Sequence, residues 1–354
     1  MITDRILFPT VGGQSIRIVT LIQNLRNFGF EVILISPPGA GIRGRLHTRL
    51  IVDRWLRVKA EQFKGGNPAD YDISAFTECL KKSLLSFNPV AVVAEYVYLA
   101  PCLDIVNNSL KFIDTHDVAH KRKDWLTCDK QTEASLLKKA DVIIAIQTNE
   151  KKIFRKLVPG KKIITLMHSS NVIKTKHVRT QVVGLIGSYS ASNSTIYKFA
   201  DEIWPTLLNA VPNAELQIYG GLVRGIKNEI NCVKKIGFVK ELHKVYNGIS
   251  VVINPVTQGT GLKIKTVEAL CHGKALVTTS VGADGLEEGA GKAFIMTDDM
   301  KKFGKEVVRL LKDDKAREEL EKNALEFAKK NFTREVVMKE LLEVLDEKNH
   351  NHYN

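Results

Sequence analysis

The sequence predicts an α/β fold of two doubly wound domains, each a parallel sheet wrapped by helices. Three observations carry this. Short apolar, β-branched runs alternate with helical patterns along the chain, the signature of βαβ units. With 354 residues and 44% hydrophobic content, the chain is long enough for two cores of ordinary domain size. The alternation is interrupted by the polar, basic stretch SSNVIKTKHVRTQ, Ser169 to Gln181, and then restarts.

In the first half the strand candidates are RILFPT, FEVILIS, PVAVVAEY, KFIDTHD, DVIIAIQ and KIITLMH, with QSIRIVTLIQNLRNFG as the first helix. The second half repeats the logic with VVGLIG, AELQIYGG, CVKKIGFV, ISVVINPV, KALVTTS and KAFIMTD as strands. Between them lie the helices TIYKFADEIWPTLLNA, ELHKVYNG and LKIKTVEALCHG. From Asp299 to about Leu345, Leu, Phe and Val recur at helical spacing among charges, which predicts two or three helices, the last beginning near Thr333. The expected organisation is a first domain over 1–170, a second over 171–331, and a terminal helix over 332–354 that packs back on the first. Ligands of such sheets bind outside the carboxyl ends of the strands, so two units in tandem face each other across a cleft that serves as the binding site.

Lys and Arg number 52 against 39 Asp and Glu, a net charge of +13. That balance favours anionic partners, or else simply a lysine-rich soluble surface. The basic residues are spread along the chain and aromatics are only 7%, so the stacking platforms of a nucleic-acid binder are not evident and no nucleic-acid partner is expected. Cys79, Cys102, Cys128, Cys232 and Cys271 form no C-x-x-C pair, which suggests neither a disulfide framework nor a thiolate zinc site and fits a reducing compartment. MITDRILFPT is unlike a signal peptide, and no run of 18 apolar residues occurs. The expected location is cytoplasmic, at most peripheral at the inner face of a membrane.

Chemistry concentrates in GTGLKIKTVEALCHG, which follows the apolar run ISVVINPV. Gly259 and Gly261 let the main chain approach a ligand closely, and the helix that follows presents open N–H groups and the positive end of its dipole. Lys263 and Lys265 fall in the first turn, where the dipole disfavours cations by a few tenths to about 1 kcal/mol, so an anion is expected beside them. Glu268 lies about two turns on from Gly261, on the same helix face and outside the core, placed to accept hydrogen bonds from a ribose diol. Diphosphate and ribose together point to a nucleotide. The ordinary alternative is a glycine-bounded loop before a solvated basic helix start.

The stretch PVTQGTGLKIKTVEALCHGKALVTTSVGADGL, Pro255 to Leu286, closely resembles the donor-binding segment of group 1, family 4-like glycosyltransferases. The resemblance implies the GT-B fold, two Rossmann-like domains, and extends upstream to VVGLIGSYSASNSTIYKFADEIWPTLLNAVPNAELQIYGG and IGFVKELHKVYNGISVVINPV. In the first half it touches ILFPTVGGQSIRIVTLIQNLRNFGFEVILIS and FIDTHDVAHKR, and it is loose between about Pro37 and Pro89.

The resemblance implies transfer of a sugar from a nucleoside-diphosphate sugar to a glycan or lipid-linked acceptor, as in surface polysaccharide synthesis. Glu268 then matches the second glutamate of the family's pair, on the donor ribose. The backbone of Gly259, Thr260, Gly261 and Leu262 matches the loop against the diphosphate, which Lys263 and Lys265 neutralise. Val239 matches the position whose main chain reads the base, and Gly12, Gly13 and Gly187 join the donor-side glycines. Thr260 stands where many members hold the first glutamate, which puts sugar identity and stereochemistry in question. There is no D-x-D motif, and fixed N–H dipoles with nearby lysines can stabilise a leaving diphosphate without a metal. The resemblance favours retention; an inverting enzyme needs a base, with His116 or Asp117 of IDTHDVAH as first candidates.

Rival readings attach to the same residues. His116 and His120 lie four apart, like the zinc pair of H-E-x-x-H, but His116 closes a strand pattern and no third ligand is apparent. Arg17 and Arg122 are candidate phosphate or acceptor contacts, or are simply solvated. A dehydrogenase requires G-x-G-x-x-G after the first strand and an acid after the second, whereas the chain has TVGGQS and Ser36. An epimerase of the same fold and a non-catalytic nucleotide-sugar-binding protein stay open. GIRGRLHTRLIVDRWLRVKAEQFK, Gly41 to Lys64, reads as an amphipathic element. Trp55, Leu56 and Val58 would lie against a membrane, and Arg43, Arg45, Arg49, Arg54 and Arg57 near anionic headgroups.

Overall fold

Every apolar run of the first half except RILFPT becomes a parallel strand. The computed structural model describes residues 1–8, 10, 12–122, 127–189 and 194–350. It resolves into two compact units, Met1–His168 with Val337–Asn354, and Ser169–Val336.

In chain order the first unit contains α1 (Gly13–Asn27), β1 (Ile33–Ser36), α2 (Gly41–Ile51), β2 (Arg54–Arg57), α3 (Ser74–Phe87), β3 (Ala91–Glu95) and β4 (Leu110–Asp114). It continues with α4 (Lys130–Leu137), β5 (Val142–Ala145), α5 (Thr148–Leu157) and β6 (Lys162–Thr165). Ile2 bridges both Ile35 and Ala94, so the first residues lie between β1 and β3. The parallel order is therefore β2, β1, Ile2, β3, β4, β5, β6.

Two expectations fail here. RILFPT forms no strand among its described residues, because the chain leaves the sheet at a buried polar knot. Asp4 accepts from the Phe63 amide at 2.7 Å and from the Tyr98 hydroxyl at 3.0 Å, and Arg5 donates to that hydroxyl at 2.7 Å. The segment from Gly41 is also not one amphipathic element: α2 ends at Ile51 and the chain then forms the edge strand β2. Trp55 and Leu56 are half-buried in the sheet, Val58 is buried, and the Trp55 indole donates to Ser36 Oγ at 2.9 Å.

The second unit holds β7 (Val182–Gly187), α6 (Ser194–Lys198), α7 (Trp204–Leu208), β8 (Glu215–Gly220), β9 (Val233–Gly237), α8 (Leu242–Gly248) and β10 (Val251–Asn254). These are followed by α9 (Ile264–Cys271), β11 (Ala275–Thr278), β12 (Ile295–Met296), α10 (Met300–Lys312) and α11 (Asp314–Asn331). A π-helical turn over Phe199–Ile203 joins α6 to α7, just ahead of Pro205, which has no N–H for a regular ladder. Strand order is β12, β11, β10, β7, β8, β9. Read from β9, this is the doubly wound 3-2-1-4-5-6 order, with its switch point between β7 and β10.

Helices cover both faces of each sheet, so the central strands are buried on two sides and read as near-continuous apolar runs, while the edge strands β2 and β9 carry exposed Arg and Lys. One face of the first sheet packs Leu34, Phe112 and Ile144 with Ile18, Leu21 and Ile22 of α1. The terminal helix α12 (Arg334–His350) adds Val337, Met338, Leu341, Val344 and Leu345 to the same cluster. Among the described residues, no helix is long and apolar enough to cross a membrane.

Candidate functional site

The loop after β10, at the switch point of the second unit, has the shape its glycines demand. Gly259 and Gly261 take φ of +110° and +74°, values that strain a side chain with a Cβ. The chain then enters α9 with Lys263 as N-cap and no side chain capping the first turn. An uncapped helix start of this kind is a seat for an anion.

Neither lysine is simply solvated, as the ordinary alternative would have it, and both ammonium groups are held by the protein's own oxygens. The Lys263 ammonium folds back onto the loop, donating to the carbonyls of Thr260 at 3.0 Å and Gly261 at 2.8 Å. Lys265 reaches along the helix and donates to Glu268 Oε2 at 2.6 Å. Glu268 is 7% exposed, so the expectation that it lies outside the core is corrected: α9 packs between the sheet and α11. Burial holds its carboxyl above the usual range, with the nearby Lys265 charge opposing the shift.

Behind the loop, three side chains fix the backbone. Asn254, closing β10, donates to Thr266 Oγ1 at 2.9 Å, and Thr266 donates to the Gly282 carbonyl at 2.7 Å. Thr278 donates to the Asn254 carbonyl at 2.9 Å. A Cβ on Gly282 would stand 2.0 Å from Thr278 Oγ1. Gly187 closes β7 on the other side of the switch point, where a Cβ would meet Leu222 at 3.0 Å. Packing against Leu222 therefore favours a small residue at that position. Val239 is half-buried after Gly237, whose φ is +79°, and Phe238 between them is 82% exposed.

In the first unit, Gly12 caps α1 with φ +92° and Gly13 begins the helix. Arg17 is not a ligand contact. It is 2% exposed, its Nε and Nη2 donate to both oxygens of Asp114 at 2.8 and 2.7 Å, and Nη1 donates to the Leu166 carbonyl at 2.9 Å. A bidentate buried pair leaves that guanidinium no face for a phosphate.

His116 stands at the end of β4 with φ +59°, stacked on Tyr96, which has φ +75° at the end of β3; the ring centroids are 4.1 Å apart. Its Nε2 lies 2.7 Å from Glu95 Oε2. His120 pairs instead with Glu133, which also accepts from the amides of Ala119 and His120. The two histidines thus turn to different carboxylates and form no zinc pair. Asp117 and Arg122 form an ion pair with each other, which accounts for the Arg122 charge without a ligand. Glu95, Asp114 and His116 do bring three potential metal-ligand atoms within 4.8 Å of one another, but both Asp114 oxygens are already held by Arg17. Burial, then the Asp114 charge, raises the Glu95 carboxyl.

Glu95, Asn254, Thr266 and Gly282 escaped the sequence reading. Two of them carried a usable signal: Glu95 and Asn254 are single polar residues closing apolar strands, AVVAE and VVIN, at the ends where ligands gather.

Comparison with known proteins agrees with this architecture. Residues 180–313 match the family model described as glycosyl transferases group 1. An uncharacterized 44.6 kDa protein in the cps region of Klebsiella pneumoniae is 26% identical over 145 residues, 38% of this chain and 37% of that one. The chain thus spans little more than a third of that curated relative. Sucrose-phosphate synthase from Thermosynechococcus elongatus superposes with a TM-score of 0.75 at 14% identity, covering 98% of this chain and 97% of the other. HepE from Anabaena, solved with UDP and glucose, superposes with a TM-score of 0.71 at 13% identity, covering 98% of each chain. The protein therefore has the GT-B fold of glycosyltransferases. Within its second unit, residues 180–313 are similar to the group 1 glycosyl transferases.

Proposed function

We propose that the protein transfers a sugar from a nucleoside-diphosphate sugar to a glycan or lipid-linked acceptor in surface polysaccharide synthesis. The observation that carries this reading is the uncapped start of α9 at the β7/β10 switch point, behind two glycines with positive φ, with Lys265 bound to Glu268. In this reading Glu268 accepts from the donor ribose, and the backbone of Gly259, Thr260, Gly261 and Leu262 lies along the diphosphate. Val239 offers its main chain to the base.

The chemistry asks for positioning and charge. When the bond from anomeric carbon to phosphate oxygen breaks, its electron pair leaves on the diphosphate, where the open N–H groups of α9 and the Lys265 ammonium stabilise it. Lys263 acts mainly by holding the loop carbonyls. Positive charge supplied by lysines and helix dipole means that the reading requires no metal. With retention, the leaving oxygen itself takes the acceptor proton. Inversion would call on Asp117 before His116, whose ring is buried against Tyr96 and Glu95.

HepE was solved with UDP and glucose, which supports a uridine donor, and the Klebsiella relative is named for a cps region, which supports a polysaccharide acceptor. A donor of this kind supports a cytoplasmic location, at the inner membrane face if the acceptor is lipid-linked. Thr260 keeps a second reading in play, a protein that binds the nucleotide sugar without turning it over.

A thermal-shift panel of UDP, GDP, TDP, CMP and ADP, with NAD and zinc as controls, tests the reading. At a hundred times its Kd one nucleotide should add about 2.7 kcal/mol, roughly 5 to 10 °C, and Glu268→Ala should lose the rise. A shift by NAD or zinc alone overturns it. Nucleotide stabilisation without donor hydrolysis or transfer selects the binding protein instead.

A further inference from the structure

Helix α2 is amphipathic the wrong way round for a helix facing water. Its buried positions are Gly44 and Thr48, while Ile42, Leu46 and Leu50 are 79%, 56% and 66% exposed. The inward face is small for a reason: a Cβ on Gly44 would sit 2.6 Å from the Phe8 carbonyl, so the helix lies hard against the preceding chain. Residues four apart advance about 40° around a helix. The three apolar side chains therefore form one narrow outward stripe rather than scattered exposures.

Arginines flank the stripe on both sides. At about 100° per residue, Arg43 falls next to Leu50, and Arg49 followed by Arg45 next to Ile42; all three are exposed. α2 contains no acid. The single acid between residues 41 and 60, Asp53, is taken up by Arg26 and by the Val32 amide. Arg54, Arg57 and Lys59, just beyond, are exposed as well.

We propose that α2 is a membrane-contact surface that lies flat on an anionic bilayer. Ile42, Leu46 and Leu50 enter the boundary between headgroups and acyl chains, and Arg43, Arg45 and Arg49 meet lipid phosphates. An apolar stripe bordered by cations is the chemistry such an interface selects. A second copy of the chain is the poorer occupant, because a two-fold contact through this face would set the same arginines against each other. The proposal replaces the Trp55, Leu56 and Val58 face of the sequence reading, which the sheet covers. It is independent of the donor site, so either reading can fail without the other.

Co-sedimentation of the full chain with vesicles tests it. The protein should pellet with phosphatidylcholine vesicles that contain phosphatidylserine, much less with phosphatidylcholine alone, and less as salt is raised. Leu46→Glu should reduce binding about tenfold by placing an acid in the stripe. Because the position is exposed, the fold should survive, as an unchanged melting temperature and unchanged nucleotide shift would verify. Replacing Arg45 and Arg49 together by Gln should weaken binding and flatten its salt dependence. Failure of the folded parent to bind anionic vesicles at low salt overturns the proposal, as does equal binding by Leu46→Glu. A dimer that Leu46→Glu dissolves, with no vesicle binding, assigns the face to a second copy and also overturns it.

Discussion

Lys265 and Glu268 stand one turn apart on α9, and the ammonium of the first donates to the carboxylate of the second over 2.6 Å. The side chains are 29% and 10% exposed, so the pair runs from the loop inward, with its cation on the wetter side. This explains how a lysine is tolerated in the first turn, where the helix dipole alone opposes it. A nucleotide that hydrogen-bonds to Glu268 through its ribose would leave the ammonium free to turn towards the diphosphate.

The first prediction concerns Glu268 and pH. Burial raises its folded-state pKa above the ordinary 4.5, so the folded protein holds that proton more tightly than the unfolded chain does. The contribution to stability is full below about 4.5 and is lost as pH rises through the folded value. Glu268→Gln removes the slope. In urea unfolding from acid to neutral pH, the parent should lose stability relative to the variant, and a pH-independent difference between them would refute the assignment. The same variant should bind the nucleotide about tenfold more weakly.

Lys265→Ala separates binding from chemistry. If the ammonium acts on charge that develops as the diphosphate leaves, kcat should fall about a hundredfold while the donor Kd changes by only a few-fold. Equal losses in both would reduce Lys265 to a ground-state contact.

Arg17 is predicted to be scaffold. Removing one partner of a buried ion pair costs about 3 to 5 kcal/mol, and lysine cannot replace the two-pronged contact with Asp114. Arg17→Lys should therefore lower the urea midpoint of the first unit while the folded fraction binds the nucleotide as the parent does. A variant of parental stability with lost donor binding would reverse the assignment.

Gly282→Ala probes the backing of the donor loop. The new Cβ would meet Thr278 Oγ1 at 2.0 Å and the Asn254 carbonyl at 3.0 Å, so the Thr278 and Thr266 hydrogen bonds must shift. Overpacking of this kind costs about 1 to 3 kcal/mol. Differential scanning calorimetry should show a lower Tm together with weaker nucleotide binding. An unchanged Tm would mean that the loop has slack.

How much was legible follows from where each signal lies. Buried parallel strands must be apolar along their whole length, so FEVILIS, VVGLIG, ISVVINPV and KALVTTS announce β1, β7, β10 and β11. The strand β2 has only RWLR, with its two arginines exposed at the sheet edge, and nothing in that pattern demands a strand. Gly259 and Gly261 fall in the turn ahead of α9 as expected, because glycine adopts their positive φ without strain, whereas Lys263 is the N-cap rather than a residue of the first turn. Side-chain partnerships were not legible in this way. Arg17 and Asp114 are 97 residues apart, as are Thr175 and His272.

The sequence by itself determined the two doubly wound units, the position of the glycine loop and the charge around it, since periodicity, φ requirements and composition are local properties. Only the tertiary structure decided that Arg17 is a core ion pair, that Glu268 is buried, that His116 answers to Glu95, and that α2 turns Ile42, Leu46 and Leu50 outward. Each of those depends on which distant backbone lies against the residue and removes it from water, and that is set by packing rather than by neighbours in the chain.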